Sequence, residues 1–202
     1  MMTMRRTIDP KAAGFTLVEM MVAIAIGMIV IASVAGTFSA QTRQNKAEEE
    51  ISQMHQNVRG ALDLISRELM QAGYKAPGGS VTGVTYSATQ LLLQADLDGN
   101  GTIDTGSSSL EYIVYAYDSS NNRITRKLGS GGTPEAVADN ITQFDFAYKD
   151  AAGAATTTSA SIRKVTITIT GRTAKPDPSY TSNGGYRTYQ LSVELVPPNL
   201  AL

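Results

Sequence analysis

Residues 14–42 open with Gly14-Phe15-Thr16-Leu17-Val18-Glu19 and continue from Met20 to Thr42 as MMVAIAIGMIVIASVAGTFSAQT. The second part is 23 residues long and has no charged side chain. As a helix it measures about 35 Å at ~1.5 Å per residue. The hydrocarbon core of a bilayer is about 30 Å thick. A single acid, Glu19, stands at its entrance. An acidic side chain deep in a bilayer costs on the order of 2–4 kcal/mol, so Glu19 reads as a functional residue.

Upstream lies MMTMRRTIDPKAAG, with Arg5, Arg6 and Lys11 against Asp9. Pro10 and Gly14 argue against a stable helix there. A short basic segment before a membrane-length apolar run keeps the N-terminus cytoplasmic and sends the C-terminal bulk outward. Three readings compete: a secretory signal cut near Ser33-Val34-Ala35, releasing a soluble protein from Gly36; a plain signal anchor; or a third that depends on the junction at residues 14–19.

Downstream the helical pattern continues but becomes one-sided. Ile51, Met54, Val58, Leu62, Ile65 and Leu69 recur at spacings of three and four. Charged residues from Lys46 to Glu68 fill the positions between. No proline interrupts Phe15–Tyr74, and Gly73 with Pro77-Gly78-Gly79 supplies a stop. The spacing therefore predicts one helix from about Thr16 to about Gln71. The lone His55, beside the stripe, reads as a boundary residue.

From Gly78 the texture turns to short β-rich runs between turn residues. Strands are expected at 83–87, 90–95, 110–117, 123–128, 142–148, 163–170 and 186–195. Val165 to Thr170 and Tyr189 to Leu195 alternate apolar and polar, the mark of a sheet with one wet face. Asp118 to Asn122 reads as a hairpin turn. The fold class is α+β: a long N-terminal helix, membrane-embedded in its first half, packed on a mainly antiparallel sheet.

One loop carries metal-site chemistry. Asp96-Leu97-Asp98-Gly99-Asn100-Gly101-Thr102-Ile103-Asp104 resembles the first nine positions of an EF-hand calcium loop. The resemblance implies oxygen ligands from Asp96, Asp98, Asn100, the Thr102 backbone carbonyl and Asp104, with Gly101 at the sharp turn and one Ca²⁺ bound. Ser107 stands where that motif has its bidentate glutamate. Glu111 completes the shell only if residues 106–110 fold back. The competing reading is a solvated Asp/Asn/Gly turn.

Composition removes other classes. The 202 residues contain no cysteine and one histidine, which excludes disulfide frameworks and thiolate metal sites and leaves little for a Ser-His-Asp site. Net charge is −1, with basic residues scattered, so no nucleic-acid footprint is visible. No acid, base and nucleophile cluster, and the chain reads as a non-enzyme.

The junction GFTLVE, with its basic leader and long apolar run, resembles the processing site of type IV prepilins and pseudopilins. The resemblance implies cleavage after Gly14 by a prepilin peptidase and N-methylation of Phe15. It also implies an assembly role for Glu19, whose carboxylate answers the new terminal amine, in the family between neighbouring subunits. The chain then divides into a leader (1–14), a transmembrane and filament-core helix (15–42), its amphipathic continuation (43–75) and a β-rich head (76–202). Loss of the leader takes the net charge from −1 to −3.

The order LEYIVYAYD, VADNITQFDFAYKD, IRKVTITITGRT, YRTYQLSVELVPPNL is similar to PilW-type minor pilins, with J-type pseudopilins of type II secretion as a related layout. The expected setting is a bacterial inner membrane, single pass, head in the periplasm, with other pilins and an inner-membrane assembly platform as partners. A secreted calcium-binding or adhesive module is the alternative from another class.

Overall fold

The computed structural model describes residues 14–201. The leader read over residues 1–14 lies outside them except for Gly14. The chain divides into two compact units between Lys46 and Ala47.

Helix α1 spans Leu17–Gln71. Thr16 caps its start: its Oγ1 accepts the Glu19 N–H at 3.3 Å, while Glu19 Oε2 accepts the Thr16 N–H at 2.8 Å. This reciprocal arrangement is a capping box, satisfying two amide groups that a helix start otherwise leaves unpaired. The helix stops at Gly73, which adopts φ +82°, a left-handed conformation suited to glycine.

Within the first unit, from Met20 to Phe38, the helix is apolar on every side. Met20, Met21, Ile24, Ile29, Ile31 and Phe38 are all exposed. The hydroxyls within it bond back to the preceding turn: Ser33 Oγ to the Ile29 carbonyl at 2.8 Å, Thr37 Oγ1 to Ser33 at 3.0 Å and Thr42 Oγ1 to Phe38 at 2.9 Å. No hydroxyl of the three needs water, as a lipid environment requires. Among the described residues, this helix is long and apolar enough to cross a membrane.

In the second unit the helix buries Met54, Val58, Ala61, Leu62, Ile65 and Leu69. Val58, Ala61, Leu62, Ile65 and Leu69 pack into one core with Leu91, Leu93, Ile113, Tyr115, Ile124, Ile141, Val165, Ile167 and Ile169. His55 is half-buried, its ring 4.2 Å from that of Tyr189.

The β-structure differs from the expected single sheet. Strands β1 (Val84–Thr85), β2 (Gln90–Gln94), β3 (Tyr112–Asp118), β4 (Arg123–Leu128) and β5 (Glu135–Asp139) form one antiparallel meander. Strands β6 (Ile141–Lys149), β7 (Lys164–Arg172) and β8 (Thr188–Leu195) form a second antiparallel sheet. Asn140, at φ +57°, separates β5 from β6. Its carbonyl accepts the Arg172 amide of the second sheet at 2.8 Å, while the next residue, Ile141, donates to Asn122 beside the first at 2.8 Å. One left-handed residue thus hands the chain from sheet to sheet.

In β7, Val165, Ile167 and Ile169 face the core and the intervening threonines do not. The turn between β3 and β4 falls at 119–122, where Asp118 accepts from the Asn121 side chain at 2.8 Å and from Arg123 Nε at 3.0 Å.

Candidate functional site

Two regions hold the residues singled out in the sequence, one in each unit. In the first, Gly14 and Phe15 precede α1, and Phe15 is 90% exposed. Among the described residues, nothing within 4 Å would meet a side chain at Gly14. Glu19 has a partner in its own chain: besides the Thr16 amide, its Oε2 accepts the Thr16 hydroxyl at 2.9 Å. A carboxylate held at the first turn also complements the positive end of the helix dipole. Sequence reasoning weighed Glu19 against a terminal amine and did not register that Thr16 and Glu19 form a T-x-x-E capping box.

In the second unit, the aspartate loop joins β2 to β3. Its first residue is anchored on the exit of α1: the Asp96 amide donates to the Tyr74 carbonyl at 2.8 Å, and Asp96 Oδ2 accepts the Ala76 amide at 3.3 Å and the Gly101 amide at 3.0 Å. Burial pushes the Asp96 carboxyl up, but neighbouring backbone amides, those of Ala76 and Gly101 foremost, outweigh it and hold the group below its ordinary value. Gly101 takes φ +83° at the turn, as the loop pattern requires.

The loop does fold back. Ser109 donates to the Gly106 carbonyl at 2.9 Å, and this turn returns the chain to Glu111. Glu111 Oε1 accepts the amides of Leu97 at 2.8 Å and Asp98 at 3.1 Å, and Oε2 accepts that of Asp104 at 2.8 Å. One carboxylate oxygen each from Asp96, Asp98 and Glu111 lie within 4.8 Å of one another. Asp104 is not of this group. The Asn100 side-chain oxygen accepts the Thr102 amide at 2.8 Å and hydroxyl at 2.6 Å, while its amide donates to Asp98 at 2.9 Å. Of the five expected ligands the fold brings Asp96 and Asp98 together and adds Glu111.

The turn Gly129-Ser130-Gly131-Gly132 braces this arrangement from the side. The Gly129 amide donates to Tyr112 at 2.7 Å, and the Ser130 amide and hydroxyl both donate to Thr105, at 3.0 and 3.1 Å. Its glycine content was the only sign of it in the sequence.

Comparison with known proteins bears on the whole chain. Residues 9–35 match the model described as the prokaryotic N-terminal methylation motif. Residues 48–195 match the model described as prepilin peptidase-dependent protein B. The chain belongs to the prepilin peptidase-dependent protein B family. This family member is a type IV pilin-like protein with a prepilin methylation motif at the head of its apolar helix. A type IV-like pilin from Thermus thermophilus is similar at 14% identity and a TM-score of 0.45, covering 72% of this chain and 97% of its own. No curated protein matches.

The family member's segment from Ala174 to Gly185 is clamped on itself. Asp177 Oδ2 accepts from Arg187 Nη2 at 2.9 Å and Nε at 3.2 Å, and Oδ1 accepts the Ser179 amide at 2.9 Å and hydroxyl at 2.5 Å. The Ser179 hydroxyl and amide, with Arg187, hold the Asp177 carboxyl down at about 2. A depressed carboxylate contributes its stabilisation in full above its unfolded value, about 3.9, and loses it as pH falls through the folded one. The expected result is a Ser179 amide still protected from hydrogen exchange at pH 4 and released as pH approaches 2. Asp177→Ala, which removes the acceptor, should show the released rate at both.

Proposed function

We propose that this chain is a minor pilin that takes part in assembling or priming a type IV pilus and has no catalytic role. The observation that carries the reading is a Gly14-Phe15 junction opening directly onto a Thr16–Glu19 capped helix, apolar on every side through residue 38. The basic leader keeps the N-terminus in the cytoplasm. A prepilin peptidase cuts after Gly14, and Phe15 is then methylated. The apolar half of α1 holds the subunit in the inner membrane with the head in the periplasm. An assembly platform extracts it, and the same apolar surface buries against the helices of other pilins.

Glu19 has two duties in this scheme. It caps its own helix, which matters most in lipid, where an unpaired amide costs several kcal/mol. It also stands one helical turn from the new terminal amine, so an amine arriving from the same or a neighbouring subunit finds a carboxylate already oriented by Thr16. An ion pair formed there is screened little by solvent.

Intact mass and N-terminal sequencing of the protein from its host membrane test the reading. The expected chain begins at methyl-Phe15. A chain beginning near Gly36 would instead identify a secreted module. A pseudopilin of type II secretion shares the same processing, and gene deletion separates the two: lost pili and twitching support the minor pilin, lost secretion with intact pili the pseudopilin.

A further inference from the structure

Asp96 is fully buried, and its Oδ1 has no hydrogen-bond partner among the described residues. An ionised carboxylate oxygen removed from water and left without a donor is costly. Glu111 is also buried, at 6% exposure, and Asp98 stands beside both at the surface. None of the ion pairs among the described residues reaches any of the three. Three negative groups thus converge within 4.8 Å, two of them in the interior, with no protein cation between them.

The geometry points to a calcium site built from Asp96, Asp98 and Glu111. The donor set decides the ion. It contains only oxygens, with no imidazole or thiolate, which favours a hard cation over zinc or copper. Calcium tolerates an irregular shell of carboxylates, carbonyls and water, whereas magnesium demands near-octahedral geometry and retains most of its own water. The Asp96 oxygen without a donor is the one a cation would satisfy.

Backbone amides fix the other oxygens. Asp96 Oδ2 is occupied by Ala76 and Gly101, and Glu111 Oε1 by Leu97 and Asp98. Glu111 Oε2 accepts one amide only, and a carboxylate oxygen has room for a second partner. Glu111 therefore takes the closing role that the loop pattern assigns to position 107, reached through a turn of four residues rather than by register. This site stands independently of the pilin reading.

Calcium titration of the full chain in detergent micelles tests it, read by calorimetry and by the thermal unfolding midpoint against EDTA. The expected result is one Ca²⁺ per chain, with a dissociation constant of roughly 10⁻⁴–10⁻³ M, and a midpoint that rises with calcium concentration. Asp98→Asn removes one of the three converging charges, so the EDTA midpoint should hold or rise while calcium weakens about tenfold or more. Glu111→Gln should lose the response, and Asp104→Asn should keep it. A wild-type chain showing neither heat nor midpoint shift in millimolar calcium overturns the site. So does a response that survives in both Asp98→Asn and Glu111→Gln, or one that depends on Asp104 and not on Glu111.

Discussion

Glu68→Ala is expected to destabilise the folded head by about 2–4 kcal/mol. Glu68 looks like one more charge on the polar side of an amphipathic helix. In the structure its carboxylate turns under β3 and β4. Oε1 accepts Arg126 Nη2 at 2.6 Å, Oε2 accepts Arg126 Nε at 3.2 Å, and the Tyr115 hydroxyl donates to the same Oε2. The two ionic side chains are only 14% and 19% exposed, and Tyr115 is fully buried.

Removing the carboxylate leaves a guanidinium and a phenol in the interior without their acceptor. That loss, rather than the attraction itself, makes the substitution expensive. Burial, then the hydrogen bond to Glu68 and that carboxylate's negative charge, push the Tyr115 hydroxyl well above its ordinary value, so it remains a donor throughout the accessible pH range. Glu68→Gln keeps an acceptor and should cost less than the alanine change. Tyr115→Phe should cost about 1 kcal/mol, a single hydrogen bond removed together with its donor. Denaturant midpoints of the three variants in the same detergent check the order. Equal midpoints for Glu68→Ala and wild type would show that the pair contributes nothing.

The helix was legible because its determinants are local. The run from Leu17 to Gln71 contains no proline, and its end is marked by Gly73. The stripe from Met54 to Leu69 is buried as its spacing predicts. Strand β7 was equally open to reading, because alternating Val/Ile and Thr suits a sheet with one wet face. Strand β5 was not. Glu135-Ala136-Val137-Ala138-Asp139 is short, acidic at both ends and rich in alanine, and it holds its place at the sheet edge by pairing with β4. Strand preference of that kind depends on the neighbour more than on the residue.

The second sheet hangs on Asn140, a single left-handed residue in the middle of a β-rich run, which no periodicity reveals. The candidate metal site shows the same division. Asp96 and Asp98 were visible as a spaced pair. Glu111 lay beyond the motif's register, and the turn that returns it depends on a contact with residues 129–132, distant in sequence. Glu68 was misjudged for the converse reason: its partners lie on β3 and β4, and local spacing records only that it is charged.

That contact with residues 129–132 makes Gly129→Ala the other costly change. A β-carbon at Gly129 would lie 1.7 Å from the Gly106 carbonyl oxygen and 2.8 Å from that of Thr105. Both are backbone atoms, so no rotamer change relieves the clash. The residue is also held at φ +64°, a conformation that alanine adopts only with strain. The expected loss is about 2–4 kcal/mol. Gly131→Ala, in the same turn, meets nothing within 4 Å and should stay within about 0.5 kcal/mol of wild type. The clash is relieved only by moving residues 105 and 106, which breaks the bonds from Ser130 to Thr105 and shifts the turn that presents Glu111. If the site binds calcium as inferred, Gly129→Ala should lower the unfolding midpoint in EDTA and also shrink the rise that calcium produces, whereas Glu68→Ala should lower the midpoint and leave that rise intact. Both variants destabilise the head, so a calcium response lost equally in the two would mean that it follows overall stability rather than the placement of Glu111.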